Sequence, residues 1–382
     1  MKIVHTADWH LGKIIHNVYM TEDQEYVLRQ FLDRLTDIHP DAVIIAGDLY
    51  DRAIPPKEAV TLLNDILTAM VQEMNIPVLA VTGNHDSPDR MDFGSGLLRR
   101  QHLYIQARLD PDLNAVVLKD EHGPVYFHLI PYLEPAEARV ILGDEQISSH
   151  QEMMEAITNQ IADKYDLDKD RHIFVGHAFL AGGMESESEE RLSVIGGAPY
   201  VDASLFEAFT YTALGHLHQP QKVKHEHIRY SGSILKYSFS EANHQKSFTL
   251  IELDGRGVKQ IEKIPLRPLR DVRVVEGFLN ELLDPALASD DYLHLRLLDD
   301  GQIMDPIGKL RKNYPNILRL ERMGRGGPSL KQLDQVKKRQ QMSHLDLFSS
   351  FYEYMKNEEI PEKRKEMVAE VIQEMMEAER RK

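Results

Sequence analysis

The sequence predicts an α/β protein, with strands covered by helices. The first ~80 residues alternate short apolar runs with longer segments of helical spacing, and five strand-like runs stop at residues that ligate metals. Lys2 to Ala7 reads as a strand, Thr21 to Ile38 as a helix, Ala42 to Ala46 as a buried strand, Lys57 to Met74 as a helix and Pro77 to Thr82 as a third strand. Such a βαβαβ start places ligand chemistry in the loops at the carboxyl ends of the strands. Val125 to Ile130, Arg171 to Gly176, Tyr211 to Leu214, Ile228 to Ser231 and Ser247 to Leu253 are also strand-like, with a helix over Ser149 to Lys164. These later strands lie closer together in the chain, which predicts more antiparallel pairing in the second half.

The pattern changes at Pro265 to Pro268. A proline-bounded turn leads into Asp271 to Val275, a helical stretch, a strand over Tyr292 to Leu298, a helix near Gly308 to Asn313 and a strand over Ile317 to Arg322, which make a small α+β domain, closed by the flexible Gly324 to Pro328. Two amphipathic stripes follow: Phe348, Phe351, Tyr352 and Met355 at i, i+3, i+4 and i+7, then Val368, Val371, Ile372 and Met375. These faces either dock on the protein's own body or receive a partner, a use that Met and aromatic side chains suit. The composition shifts divide the chain into 1–266, 267–328 and 329–382. Met184 to Glu190 reads as a solvated acidic connection.

The chain has 382 residues, 42% hydrophobic and 28% charged, the balance of a globular protein with two or three domains. No apolar run approaches the ~18 residues of a membrane helix, and Asp8 and two histidines interrupt the start where a signal peptide would be apolar, so the expected location is the cytoplasm with no membrane contact. The chain contains no cysteine, which excludes disulfides, thiolate zinc sites and cysteine nucleophiles. With 45 basic and 61 acidic residues and a formal charge of −16, it does not coat nucleic acid by charge alone, although metal ions or a local basic patch would still hold a phosphodiester.

The five segments are Asp8-Trp9-His10, Gly47-Asp48, Gly83-Asn84-His85-Asp86, Gly176-His177 and Gly215-His216-Leu217-His218. Residues two apart in a strand face the same way, so Asp8 with His10 and His216 with His218 each point two ligands at one cavity. The glycines allow sharp turns and close backbone approach. Together Asp8, His10, Asp48, Asn84, His177, His216 and His218 supply two carboxylates, one amide oxygen and four imidazoles, a set that suits two transition-metal ions such as manganese, iron or zinc. Asp48, in the middle of the set, is the natural bridge between them. Two divalent cations and two aspartates leave about +2 in the cleft, which selects an anionic phosphate. Asn84 would place a neutral oxygen on a metal and leave the imidazole of His85 to stabilise the transferring phosphoryl group or protonate the leaving oxygen. Asp86 and Ser87 before Pro88 read as a helix start with its cap. Trp9, between two proposed ligands, is expected to pack beneath them.

This set resembles the calcineurin-like metallophosphoesterases. More narrowly, Thr6-Ala7-Asp8-Trp9-His10-Leu11-Gly12, Ser186-Glu187-Ser188-Glu189 ahead of Gly196-Gly197, and Ala213-Leu214-Gly215-His216-Leu217-His218 running into Gln219-Pro220-Gln221 resemble the SbcD family. These are bacterial nuclease subunits related to the nuclease of eukaryotic and archaeal double-strand-break repair, and the likeness covers nearly the whole chain. It implies a sandwich of two central β-sheets flanked by helices, with a small DNA-capping domain and a helical arm that binds the partner. It further implies a manganese-dependent nuclease that degrades DNA ends and cuts single strands or hairpins. Its partner would be a coiled-coil ATPase of the SbcC type, with two copies of this chain in a heterotetramer. By motif matching, Asp8, His10, Asp48 and His218 would hold one ion, Asp48, Asn84, His177 and His216 the other, and His85 would be the catalytic histidine. Some archaeal relatives carry a second functional histidine where this chain has Asp51, and Asp51 receives no catalytic role here.

Arg90, Arg99 and Arg100 after the Asn84-His85 loop, and Lys222, Lys224 and Lys236 after His218, are candidates for contact with backbone phosphates. Two other functions use parts of the inventory. A two-metal phosphatase or cyclic-nucleotide phosphodiesterase needs the metals but neither the small domain nor the arm, and a non-catalytic scaffold for the ATPase does not need an intact ligand set.

Overall fold

Two six-stranded sheets, each covered by helices on its outer face, form the body of the protein. The computed structural model describes residues 1–189, 200–300 and 303–323, with 348–349, 352, 360–361, 364–365 and 367–369 beyond them. The strands are Lys2–Thr6 (β1), Ile14–Ile15 (β2), Val18–Tyr19 (β3), Ala42–Ala46 (β4), Val78–Val81 (β5), Leu103–Gln106 (β6), Val116–Asp120 (β7), Gly123–Ile130 (β8), Arg171–His177 (β9), Tyr211–Gly215 (β10), Gln221–Val223 (β11), His225–Tyr230 (β12), Ser247–Asp254 (β13), Gly257–Pro265 (β14), Val272–Gly277 (β15), Tyr292–Leu297 (β16) and Ile317–Arg322 (β17). One sheet runs β14-β13-β1-β4-β5-β6 and the other β11-β12-β10-β9-β8-β7, while β15-β16-β17 form a small third sheet.

The two-residue period of each strand divides its side chains between layers. Ile3, Ala42, Ile44, Leu79 and Val81 face Phe127, Leu129, Ile173, Val175 and Ala213 in the layer between the sheets. Their neighbours Val4, Val43, Ile45, Val78 and Ala80 point the other way, onto Val27, Phe31 and Leu35 of the helix Thr21–Ile38 and Leu62, Leu63 and Ile66 of the helix Lys57–Thr68. On the far side, Ile130, Phe174 and Leu214 meet Met153, Met154, Ile157 and Ile161 of the helix His150–Lys164. Both faces of the central strands are therefore buried, which explains their continuous apolar runs.

β1, β4, β5 and β6 pair in parallel, as do β8, β9, β10 and β12. The expectation of an antiparallel second half holds for β7 with β8, β11 with β12 and β13 with both β1 and β14, and fails at the centre of the second sheet. There β8 and β9 are joined by a long crossover carrying the helix His150–Lys164, and β10 and β12 by a segment that contains β11, so the strands return in the same direction. The helix expected over Lys57 to Met74 is α-helical only to Thr68 and continues as a π-helical turn, Ala69–Glu73.

The chain divides into two compact units. The first comprises Met1–Val275, Leu282–Leu295 and Ile307–Leu320 and contains the whole sandwich; the second comprises Glu276–Glu281, Arg296–Pro306 and the described part of Glu321–Lys382. Within the second, Phe348 is exposed, Val368 is half-buried and the Tyr352 hydroxyl accepts a hydrogen bond from Arg364 at 2.7 Å. Phe351, Met355, Val371, Ile372 and Met375 of the proposed partner-binding stripes, and Gly324 to Pro328, lie outside the described residues. Among the described residues, no helix is long and apolar enough to cross a membrane.

Phe127 is fully buried between the sheets. Phe127→Ala is expected to lower the unfolding free energy by about 3–5 kcal/mol in urea titrations, and a loss below about 1 kcal/mol would contradict the packing described for that layer.

Candidate metal centre

Parallel strands bring their carboxyl ends to one edge of a sheet, and the donor residues stand at those ends. Asp8 and His10 follow β1, Asp48 follows β4, Asn84 follows β5, His177 ends β9, and His216 and His218 follow β10. The loops after β1 and β4 are stitched by backbone hydrogen bonds from Asp8 N to Gly47 O (3.1 Å), His10 N to Asp48 O (2.9 Å) and Leu11 N to Leu49 O (3.0 Å). Asp8, His10, Asp48 and His216 all adopt positive φ, at 53°, 46°, 51° and 105°. A non-glycine residue in such a conformation costs about 1–3 kcal/mol, so four together mark a site whose surroundings hold the backbone in place. Gly83 leaves the room this needs, because a Cβ there would collide with Asp48 Oδ1 and with the Asp48 backbone nitrogen.

All seven expected donors come together. Asp48 Oδ2 lies 3.5 Å from His10 Nε2 and 3.3 Å from His177 Nε2, between two groups of donors. In one group His10 Nε2 and His218 Nε2 face each other at 3.0 Å, and the Asp8 carboxylate reaches in from β1, its Oδ1 accepting the amide hydrogen of His216 at 2.8 Å. In the other, His177 Nε2 and His216 Nδ1 converge on Asn84 Oδ1 at 3.0 and 3.3 Å. His177 donates Nδ1–H to Ala46 O at 2.9 Å, which turns Nε2 toward the cleft. His85 donates Nδ1–H to Asp51 O at 2.8 Å and its amide to Asp48 Oδ1 at 3.0 Å, and its ring meets that of His10 edge-on at 4.7 Å.

The donor set fits metal ions. Asp8 Oδ2 is a buried carboxylate oxygen with no hydrogen-bond partner, an arrangement that a cation would satisfy. The atoms of Asp8, Asp48 and His177 lie within 4.8 Å of one another, as do those of His10, Asp51 and His85. Without metal, protons take over part of this role. Burial pushes the Asp8 carboxyl up to about 7, a rise that Asp48 reinforces. Burial alone would lower His177, but the carboxylates of Asp48 and Asp8 outweigh it and hold the imidazole up at about 9. His216 is driven down to about 3 by burial and then by the charge of His177.

Several residues have roles the sequence did not reveal. The helix Pro88–Asp92 begins where the sequence predicts, with Pro88 in its first turn, but the Asp86 carboxylate turns inward instead of capping it. It accepts the amides of Leu49 (3.1 Å), Tyr50 (2.9 Å) and Gly83 (3.0 Å), clasping the β4 and β5 loops together. The acidic connection from Met184 onward is not simply solvated. Glu189 Oε1 accepts the amide of His218 at 2.7 Å, and Ser188 Oγ lies 2.9 Å from His218 Nδ1. These contacts join residues far apart in the chain; the sequence marked the segment as an acidic connection and by its resemblance to the SbcD family, and neither signal reports a contact with His218. Trp9 packs as expected, fully buried, with Nε1 donating to Thr6 Oγ1 at 2.9 Å and its ring edge-on to Phe31.

Of the basic candidates, Arg90, Arg99 and Arg100 are exposed. Lys222 pairs with Glu226, Lys224 with Glu207 at 2.6 Å and Lys236 with Asp271 at 3.0 Å, so the lysines carry less uncompensated charge.

Metal ligands must be deprotonated, and the metal-free site holds protons on His177 and, in part, on Asp8 at pH 7. Filling the site is therefore expected to release protons, and affinity to fall as the pH drops from 9 to 6. Calorimetric titrations in buffers of different ionisation enthalpy measure this directly; heats that do not depend on the buffer would contradict it. Gly83→Ala is expected to weaken metal binding by about 10–100-fold through displacement of Asp48, and unchanged affinity would show that the glycine is not needed for close approach.

The chain matches two known families: residues 1–220 match the calcineurin-like phosphoesterases, and residues 268–356 the type 5 capsule protein repressor C-terminal domain. It is 37% identical over 323 residues to the SbcD subunit of the nuclease SbcCD from Staphylococcus epidermidis, an alignment covering 84% of this chain and 85% of that protein. The corresponding SbcCD nuclease subunit of Staphylococcus saprophyticus subsp. saprophyticus is 38% identical over 323 residues, covering 84% of each. Among solved structures, a dimetal phosphatase from Danio rerio aligns with 70% of this chain and 99% of its own at 13% identity, with a TM-score of 0.41. The family match over residues 1–220 and the extent of the identity establish that this chain belongs to the calcineurin-like phosphoesterase family and, within it, to the SbcD family.

Proposed function

We propose that this chain is the nuclease subunit of a DNA-end-processing complex, a manganese-dependent phosphodiesterase partnered by a coiled-coil ATPase of the SbcC type. One observation carries the catalytic part: the Asp48 carboxylate oxygen stands between His10 Nε2 and His177 Nε2, at 3.5 and 3.3 Å, with the other donors gathered on either side. Asp8, His10, Asp48 and His218 would hold one ion, and Asp48, Asn84, His177 and His216 the other. When bound, the pair supplies Lewis acidity toward the phosphoryl oxygens and an activated water.

The chain's own residues do the rest. Asp8 and Asp48 cancel half of the charge of two divalent ions, leaving about +2 to draw in a phosphodiester, and the neutral Asn84 oxygen preserves that surplus. His85 is the proposed catalytic histidine. With Nδ1–H committed to Asp51 O, Nε2 is the nitrogen from which a proton passes to the leaving oxygen. The exposed guanidinium groups of Arg90, Arg99 and Arg100 would meet backbone phosphates.

The region 267–328 would act as a DNA-capping domain and the stripes around Phe348 and Val368 as the ATPase-binding arm, with two copies of this chain in a heterotetramer. Both staphylococcal relatives are subunits of a nuclease, which supports the substrate and the assembly alike. On this reading the complex would shorten double-strand ends and open single strands or hairpins, with ATP controlling access.

His85→Ala is expected to lower DNA cleavage by about 10²–10⁴-fold while metal content stays at the wild-type level. The assay is digestion of DNA ends and hairpins with manganese, with and without the ATPase and ATP. A protein that hydrolyses bis-p-nitrophenyl phosphate yet leaves ends and hairpins intact with the ATPase present would overturn the nuclease reading, and full cleavage by His85→Ala would overturn the assignment of His85.

A further inference from the structure

His218 is gripped at its amide, its carbonyl and its ring. Its amide donates to Glu189 Oε1 at 2.7 Å and its carbonyl accepts from Lys246 Nζ at 2.7 Å. Its Nδ1 lies 2.9 Å from Ser188 Oγ, whose hydroxyl donates to Glu241 Oε1 at 2.5 Å, and 3.3 Å from that same carboxylate oxygen. Glu241 Oε2 in turn accepts from Lys246, which also donates to Ser233 Oγ at 2.8 Å. Glu241 and Lys246 are both buried.

Because the Ser188 hydroxyl spends its own proton on a carboxylate, its oxygen accepts Nδ1–H from His218. That arrangement leaves the lone pair on Nε2, which points toward His10 and the cleft. His177, on the other side of Asp48, is oriented by the neutral carbonyl of Ala46. The two sides of the centre are thus supported differently: one imidazole leans on a buried carboxylate–ammonium pair, directly at 3.3 Å and through a serine from a half-buried loop at 2.9 Å, the other on the sheet backbone. A hydrogen bond from a ligating imidazole to a carboxylate relay fixes its tautomer and raises its basicity more than one to a backbone carbonyl.

We propose that Ser188 and Glu241 are positioning residues for the ion that His218 would bind, and that the Ser186–Glu189 turn is a clasp setting the affinity of that ion separately from the other. This rests on the two-metal reading of the site.

The test is manganese binding to metal-free full-length protein, followed by calorimetry and by the electron paramagnetic resonance signal of free Mn2+. Wild type should bind two ions. Ser188→Ala should weaken one of them about 10–100-fold and leave the other within about twofold, with the melting temperature of the metal-free protein unchanged. Ser188→Thr, which keeps the hydroxyl, should restore the wild-type isotherm. Cobalt substitution provides a second readout, in which the visible band of only one of the two ions should shift in Ser188→Ala.

Two ions bound by Ser188→Ala as tightly as by wild type would overturn the clasp and leave the two-metal reading intact. Equal weakening of both ions, or failure of the threonine to restore binding, would show a general structural role and overturn it as well. Wild-type protein that takes up only one ion or none would overturn both readings.

Discussion

Everything in this site hangs on the placement of Asp48. Its carbonyl accepts the amide of His10, its Oδ1 accepts the amide of His85, and its Oδ2 stands between the imidazoles of His10 and His177. One residue thereby ties together the loops after β1, β4 and β5 and faces the end of β9. The backbone adopts a positive φ to achieve this, and the three amides bound by Asp86 hold the loops in that conformation. Strain at a functional position is stable only where neighbouring contacts over-determine it. Here the two sheets behind the loops provide those contacts.

The electrostatics follow from that placement. Two buried carboxylates packed among imidazoles need positive charge nearby. Without a metal the need is met by protons, and the carboxylates hold the His177 imidazole up at about 9 while burial pushes the Asp8 carboxyl up to about 7. Both lie above their ordinary ranges, about 6.5 for a free imidazole and about 3.9 for a free aspartate. A divalent ion meets the same need with more charge and better geometry, and an overall charge of −16 is then no obstacle to binding a phosphodiester. Attraction for the substrate is concentrated in the cleft rather than spread over the surface.

Much of the fold was legible in the sequence, for identifiable reasons. The helix Thr21–Ile38 and the strands Ala42–Ala46 and Ile317–Arg322 have the bounds their periodicity predicts, because each has a distinct period and clear boundaries such as Pro40. β6, β7, β11 and β14 passed unnoticed: the first and third are short, and the exposed stretches of β7 and β14 dilute the apolar signal. Parallel pairing in the second sheet was missed because direction depends on crossovers, which a strand's own residues do not report.

In the site, the donor residues were visible because strand ends repeat one pattern of glycine and ligand. The left-handed backbone of Asp8, His10 and Asp48 was not, since non-glycine residues carry no mark of it, and neither was the grip of Ser188, Glu189 and Glu241 on His218, which joins segments about 20 to 50 residues apart. Whether Asp48 joins two metal positions is decided by anomalous diffraction at the manganese edge from crystals of manganese-loaded protein. Two peaks about 3.5–4 Å apart are expected, with the Asp48 carboxylate bound to both. A single peak, or two peaks that do not share Asp48, would contradict that arrangement.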